Sequence, residues 1–274
     1  MGNTNASVAF VSFLTGLSVR WLGGWRAEGD EGGGAAQLDA ALSELDSLGG
    51  ARCSRAGISA VGSMDRERRL VSRLEEAGYA VLARPDAGLV MDIDHPETCG
   101  SDRQYAMRAA LEDQVELQDA AAVRVLVVDA GTALTVDAGL AERRASGAVR
   151  LRFLGGAIAM GPGSLAAAMS ARGARLPEFE IDPDAPALGR STVRALQSGV
   201  TVGFRGAVRE LVQEVAQEAF GSLDSVAVYL TGGARSFARR AVDECSPAGW
   251  IEEAHLVHAG LARALRAAEA GPRS

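Results

Sequence analysis

The sequence predicts an α/β fold with strands and helices in layers, and three stretches carry that expectation. Ile58 to Val61 reads as a strand, Leu70, Val71, Leu74 and Ala77 recur at helical spacing after Asp65, and Tyr79 to Leu82 reads as another strand. Val123 to Val128 is apolar except for Arg124, as suits a central strand covered on both faces, and Leu134 to Asp137 follows as a second strand. Val226 to Leu230 reads as a short buried strand ending in Thr231-Gly232-Gly233 and leading into a helix. Such strand–helix–strand alternation belongs to layered α/β domains, not to bundles or sandwiches.

Taken in order, the chain opens on a turn-rich segment, Met1 to Asn5. The apolar stretch Ser7 to Val19 has no basic segment before it and no small-residue cleavage site after it, so a buried hairpin is expected rather than a signal peptide. Leu22 to Ala36 interleaves six glycines with charge and reads as a loop. Ser63 is placed to cap the helix after it. Ser101 and Gln104 have capping-box spacing, which predicts a helix running through Tyr105, Ala106 and Met107. Val208, Leu211, Val212, Val215 and Ala219 mark an amphipathic helix.

Composition narrows the function. A chain of 274 residues, 47% hydrophobic and 23% charged, is ordinary for a globular enzyme of one large or two smaller domains. The net charge of −7, with no basic cluster in the sequence, argues against a nucleic-acid partner. All 28 basic residues are arginine, which excludes a P-loop lysine and Schiff-base chemistry. Cys53, Cys99 and Cys245 are widely spaced, and His95, His255 and His258 show no ligand pattern, so neither a disulfide framework nor a zinc site is expected. A reducing, cytoplasmic setting fits. No run reaches the ~18 apolar residues of a membrane span.

Phosphoryl transfer needs N–H groups and hydroxyls around phosphates, a cation on their oxygens, and a base near the attacking hydroxyl. Gly2, Asn3 and Thr4 form a turn whose small residues let backbone approach an anion, although a plain hairpin turn has the same composition. Asp129 ends the strongest strand and is followed by Gly131 and Thr132, which suits a cation and a phosphate together. A strand-end aspartate capping its own turn is the plainer alternative. In Gly100-Ser101-Asp102-Arg103, Asp102 occupies a first helical turn, where the macrodipole favours its charged form and leaves it ready to accept a proton. Arg103 beside it suits a substrate carboxylate. Acidic residues also sit in first turns merely to complement the dipole. Thr231-Gly232-Gly233-Ala234 has the small residues on which an adenosine could rest. The opening GNTNASV and the midpoint GTALTV echo each other about half a chain apart, each a small polar turn feeding a strand.

Together and in order, these segments resemble the type III pantothenate kinase family. The matching stretches are MGNTN, HPETCGSDR, VVDAGTALTVD, FLGGAIAMGPG from Phe153, ARLPEFEI from Ala174, LGRSTVRALQSGV from Leu188, YLTGG at Tyr229 and LVHAGLARAL near the end. The resemblance implies an actin-like (ribonuclease H-like) duplicated two-domain kinase fold, with halves at 1–118 and 119–274, whose two glycine turns hold the nucleotide phosphates. It implies ATP-dependent phosphorylation of pantothenate to 4′-phosphopantothenate, with Mg2+ and a monovalent cation, potassium or ammonium. Gly2, Asn3, Thr4 and Asn5 then fall in the ATP phosphate loop, with Thr132 a second ATP contact. Gly100, Ser101, Asp102 and Arg103 line the pantothenate site, with Asp102 as base. Asp129 holds the monovalent cation, and Thr192 reaches pantothenate across a homodimer interface.

The sequence departs from the family pattern twice. The family begins with a strand ending Asp-x-Gly-Asn-Thr, and Met1 stands at the x position, so the strand and its aspartate are not in this sequence. A start assigned too late is the expectation; a degenerate homologue that binds nucleotide or a partner without catalysis is the alternative. Ile93 stands where the family often has tyrosine, which implies altered packing around the substrate. Another actin-like sugar or acid kinase is the third reading.

Overall fold

A computed structural model describes residues 5–12, 18–26, 40, 43, 55–59, 64–172, 176–246 and 249–270. In chain order the elements are β1 (Asn5–Ser12), β2 (Ser18–Arg26), β3 (Arg55–Ile58), α1 (Met64–Glu76), β4 (Ala80–Ala83), β5 (Val90–Met91) and a 3-10 turn at Pro96–Thr98. There follow α2 (Ser101–Leu117), β6 (Ala122–Ala130), β7 (Ala133–Arg143), β8 (Val149–Met160), α3 (Pro162–Arg172) and α4 (Thr192–Phe220). The last are β9 (Val226–Thr231), α5 (Arg235–Cys245), β10 (Ile251–Glu252) and α6 (Leu256–Ala270). They form two compact units, the first of Met1–Gly88, Glu97–Ala109 and His255–Ser274, the second of Leu89–Pro96 and Ala110–Ala254.

In the first unit β1 and β2 pair antiparallel from Asn5↔Arg26 to Ser12↔Ser18, so the hairpin expected over Ser7 to Val19 is present. The loop expected from Leu22 is corrected at its start. Leu22 to Arg26 continue β2, because ladder hydrogen bonds to β1 outweigh the weak strand preference of Gly23 and Gly24; residues 27–36 lie outside the described residues. β3 and β4 pair parallel from Arg55↔Ala80 to Ile58↔Ala83. The strand expected at Ile58 to Val61 thus sits three residues earlier, where β4 fixes the register, and Ser63 lies outside the described residues.

Side chains of α1 close over this pair: Leu74 and Ile58 are buried, with Leu70, Val71, Tyr79 and Val81 against them. Helix α6 packs on β1, β2 and β3. It also meets α2 at Gly260, where a Cβ would stand 1.8 Å from the Tyr105 carbonyl oxygen, so only glycine lets the helices approach this closely. Three buried polar side chains find carbonyl acceptors here: Tyr105 Oη donates to Pro85 (2.7 Å), Arg108 Nη1 to Ala87 (3.0 Å) and Arg263 Nη1 to Ala109 (2.8 Å). Satisfying them avoids the cost of desolvated, unpaired donors.

The second unit is built on one six-stranded sheet in the order β10-β9-β6-β7-β8-β5. β7 is antiparallel to β6 and β8, and the other pairings are parallel. Counted from β6, the five main strands stand in the order 3-2-1-4-5 with the second reversed, the ribonuclease H-like arrangement of actin-like halves. Period-two alternation sends Leu126, Val128, Leu134, Val136, Val228 and Leu230 to one face, where Phe204, Val208 and Val212 of α4 and Phe237 and Val242 of α5 complete the core. α4 begins where Ser191 Oγ accepts from Arg194 N (3.3 Å) and ends at Gly221, whose N–H reaches Gln217 O (2.9 Å). The helix expected around Val208 to Ala219 therefore extends upstream to Thr192, and the strand expected at Leu134 to Asp137 runs on to Arg143.

The first unit repeats this connectivity in part. Its hairpin β1–β2 corresponds to β7–β8, and its parallel pair β3–β4, joined through a helix, corresponds to β9–β10. Among the described residues it holds no counterpart of β6.

Candidate active site

In the second unit the site is built at the ends of β6 and β9. Asp129 pairs with Thr135 on β7 and Thr231 on β9, so the three side chains share the sheet face opposite the apolar core. Farther along that face Asp137 is buried, and Gln114 Nε2 of α2 donates to Tyr229 Oη at 2.9 Å. Polar groups collect on this face because the other is committed to α4 and α5.

The turn from β6 to β7 is tight. Gly131 N donates to Ala133 O (2.8 Å), while the Thr132 carbonyl accepts from Gly161 N (3.0 Å) and from Ser164 Oγ (2.7 Å). Thr132 is exposed and Asp129 half-buried. The turn after β9 lies against it, with Ala234 N donating to Ala130 O at 2.7 Å. Gly232 has φ +95°, and a Cβ there would stand 2.3 Å from Ala130 O and 2.4 Å from Asp129 Oδ1. Only a glycine leaves room for that carboxylate. Two glycine turns thus flank one carboxylate, an arrangement suited to an oxygen-liganded cation beside phosphate.

Thr135 adds a group that the sequence did not single out: its Oγ1 is buried and has no hydrogen-bond partner. A hydroxyl orphaned beside Asp129 fits a site completed by an ion or nucleotide. Ser164 and Gly161 join the site through the Thr132 carbonyl; Gly161 belongs to the GPG segment that resembles the family, whereas Ser164 carries no signal of its own in the sequence. Among the described residues no group of three or more His, Cys, Asp or Glu side chains is placed to hold a metal. A cation at Asp129 would therefore take its remaining ligands from backbone, hydroxyl, phosphate or water oxygens.

In the first unit the other segment opens α2. Asp102 Oδ1 accepts from Arg103 N (2.9 Å). The capping box expected from Ser101 and Gln104 does not form. Ser101 is already helical and its Oγ shares a hydrogen bond with Ser59 Oγ (2.9 Å), while Gln104 Nε2 donates to Cys99 O (3.0 Å). The tether to a distant serine replaces the local cap. Gly100, Ser101, Asp102 and Arg103 are all partly exposed, and just behind them Tyr105 is 1% exposed. Burial pushes the Tyr105 hydroxyl up to about 12.

Of the remaining expected site residues, Asn5 begins β1 and Gly2, Asn3 and Thr4 lie outside the described residues. Thr192 is the exposed first residue of α4. Ile93 lies against Gly155 of β8, 3.5 Å from the position of a Cβ there. Beside it, Arg152 bonds Asp92 (2.6 Å) and approaches Glu142 (3.5 Å).

The family described as type III pantothenate kinase matches residues 1–214. A type III pantothenate kinase of Thermus thermophilus is 35% identical over 176 residues, 64% of this chain and 63% of that protein. One from Thermobifida fusca is 37% identical over 184 residues, 66% of this chain and 64% of the relative, and one from Streptomyces coelicolor is 37% identical over 156 residues, 56% and 53%. The chain thus spans less than two thirds of the length of these relatives. Among solved structures, a conserved Baf-family protein of Campylobacter jejuni aligns over 98% of this chain and 96% of its own, at 17% identity and a TM-score of 0.50, a likeness of fold. With the motifs in family order and the second unit built as an actin-like half, the chain belongs to the type III pantothenate kinase family.

Proposed function

We propose that this protein transfers the γ-phosphoryl group of ATP to the primary hydroxyl of pantothenate, giving 4′-phosphopantothenate and ADP, the first step towards coenzyme A. The observation that carries this reading is the second unit's arrangement of Asp129 between the Gly131 and Gly232 turns, with Thr132 exposed at its edge. Thr132 and the Gly2 to Asn5 segment bind the phosphates. Gly100, Ser101 and Thr192 contact pantothenate, and Arg103 pairs with its carboxylate. Asp102 accepts the hydroxyl proton as that oxygen bonds to the γ-phosphorus; the bond to the bridging oxygen breaks, and ADP leaves with the electron pair. Mg2+, and potassium or ammonium at Asp129, would offset phosphate charge when bound.

The test is ADP release on adding pantothenate to protein with ATP, magnesium and potassium. Asp102→Asn is expected to lower turnover by about a hundred- to ten-thousand-fold with folding intact. Unchanged turnover in that variant would remove Asp102 as the base. No pantothenate-dependent release in the parent protein would favour a homologue that binds nucleotide without catalysis.

The protein is also proposed to act as a homodimer in the cytoplasm. Thr192 is flanked by Leu188, 74% exposed, and Val193, an apolar surface that a second copy would cover. Among the described residues no helix is long and apolar enough to cross a membrane. Light scattering should show a dimer, and Leu188→Glu should weaken it; a monomer in the parent protein would refute the assembly.

A further inference from the structure

A concave site lies within the second unit, on the outer side of α4 and α5. It is an open cavity of about 610 Å3 lined by the Pro183–Ala187 loop and by four arginines, Arg205, Arg209, Arg239 and Arg240. Asp184 and Glu244 are the acidic residues of the lining, so it carries a surplus of two positive charges in a chain whose net charge is −7. The carboxylates are oversubscribed. Glu244 takes Arg209 on one oxygen (2.9 Å) and Arg240 on the other (2.8 Å), and Glu252, next to the cavity, takes both Arg235 (2.7 Å) and Arg239 (2.6 Å). Arg205 has no carboxylate among the described residues. Its Nη2 donates to the Pro183 carbonyl, and its buried Nε has no hydrogen-bond partner.

We propose that this cavity is an accessory binding site for a small organic phosphate, distinct from the Asp129 turns. Guanidinium forks match phosphate oxygens in pairs, and an anion would answer the surplus charge of the lining. The volume lies in the range of small-molecule sites and exceeds what inorganic phosphate needs. Ala185, Ala187 and Val202 supply an apolar wall for an organic portion.

The test is calorimetric titration of the whole protein with pyrophosphate, with and without a saturating non-hydrolysable ATP analogue. One pyrophosphate site is expected to persist with the analogue present. Its affinity should fall about tenfold or more in the double variant Arg205→Gln/Arg239→Gln. Gly206→Glu gives a second, independent arm. A Cβ at Gly206 meets nothing within 4 Å, so the new carboxylate enters the cavity while the residue gains helix propensity over glycine. This variant should fold as well as the parent and show no residual site. Loss of all pyrophosphate binding in the presence of the analogue would assign the anion to the nucleotide site and overturn the proposal. Equal binding by the parent and both variants would overturn it as well.

Discussion

Gly232→Ala isolates the contact on which the second unit's site depends. The added methyl would stand 2.3 Å from Ala130 O and 2.4 Å from Asp129 Oδ1, about 1 Å inside the 3.4 Å at which ordinary contact begins. Holding alanine at φ +95° costs about 1–2 kcal/mol. Overpacking against a carbonyl that already accepts from Ala234 N adds about 1–3 kcal/mol. A combined loss of about 2–5 kcal/mol lowers the melting temperature by roughly 5–15 °C in a chain of this size. The strain can be relieved only by moving the β9 turn or the Asp129 carboxylate, so the pantothenate-dependent turnover proposed above, and any potassium dependence of it, should fall with it. The neighbouring Gly233 is the control: a Cβ there meets nothing within 4 Å and its φ is not positive, so Gly233→Ala should stay within about 0.5 kcal/mol. Thermal unfolding of both variants, with activity measured across a potassium titration, decides the matter. Equal melting temperatures for the two would refute the reasoning.

Tyr105 predicts an alkaline transition. Its folded value of about 12 lies above the ordinary 10, so its contribution is fully present below pH 10 and is lost as pH rises through 12. The loss is on the order of 2–3 kcal/mol, and in Tyr105→Phe denaturation curves it should disappear from that window. The separation of β1–β2 from β3–β4 predicts that an apolar strand added ahead of Met1 will pair with β1 and β3 and raise the melting temperature. Unchanged thermal stability and amide exchange in the extended chain would refute that pairing.

Much of the second unit was legible because its strands are apolar and bounded by turns. Val123 to Val128 and Val226 to Leu230 both lie inside strands of the sheet, extended by only a few residues. Asp129 and Thr132 could be singled out because a polar residue at the end of such a strand is conspicuous. Thr135 could not: a threonine within Leu134 to Asp137 looks like any β-branched strand residue, and its orphaned hydroxyl appears only once the strand register is known. The capping box failed for a related reason. Ser101 and Gln104 have the correct spacing, but Ser59, 42 positions away, takes the serine hydroxyl. The arginine cavity was invisible for the same cause, since Arg205 and Arg209 are separated by some thirty residues from Arg239 and Arg240 and meet only because α4 lies beside α5.

The return of α6 to β1, β2 and β3 has a consequence for how the protein emerges from the ribosome. Residues 110–254 form one uninterrupted stretch and can complete their sheet as soon as they leave the exit tunnel. The opening strands must wait for the last helix, whose Gly260 seals against Tyr105. At ordinary synthesis rates that wait is roughly 10–50 s, during which the first unit's strand edges have no lid. Newly made chains, more than mature ones, should therefore depend on chaperones, and a truncation that removes α6 should aggregate even though it leaves the second unit whole.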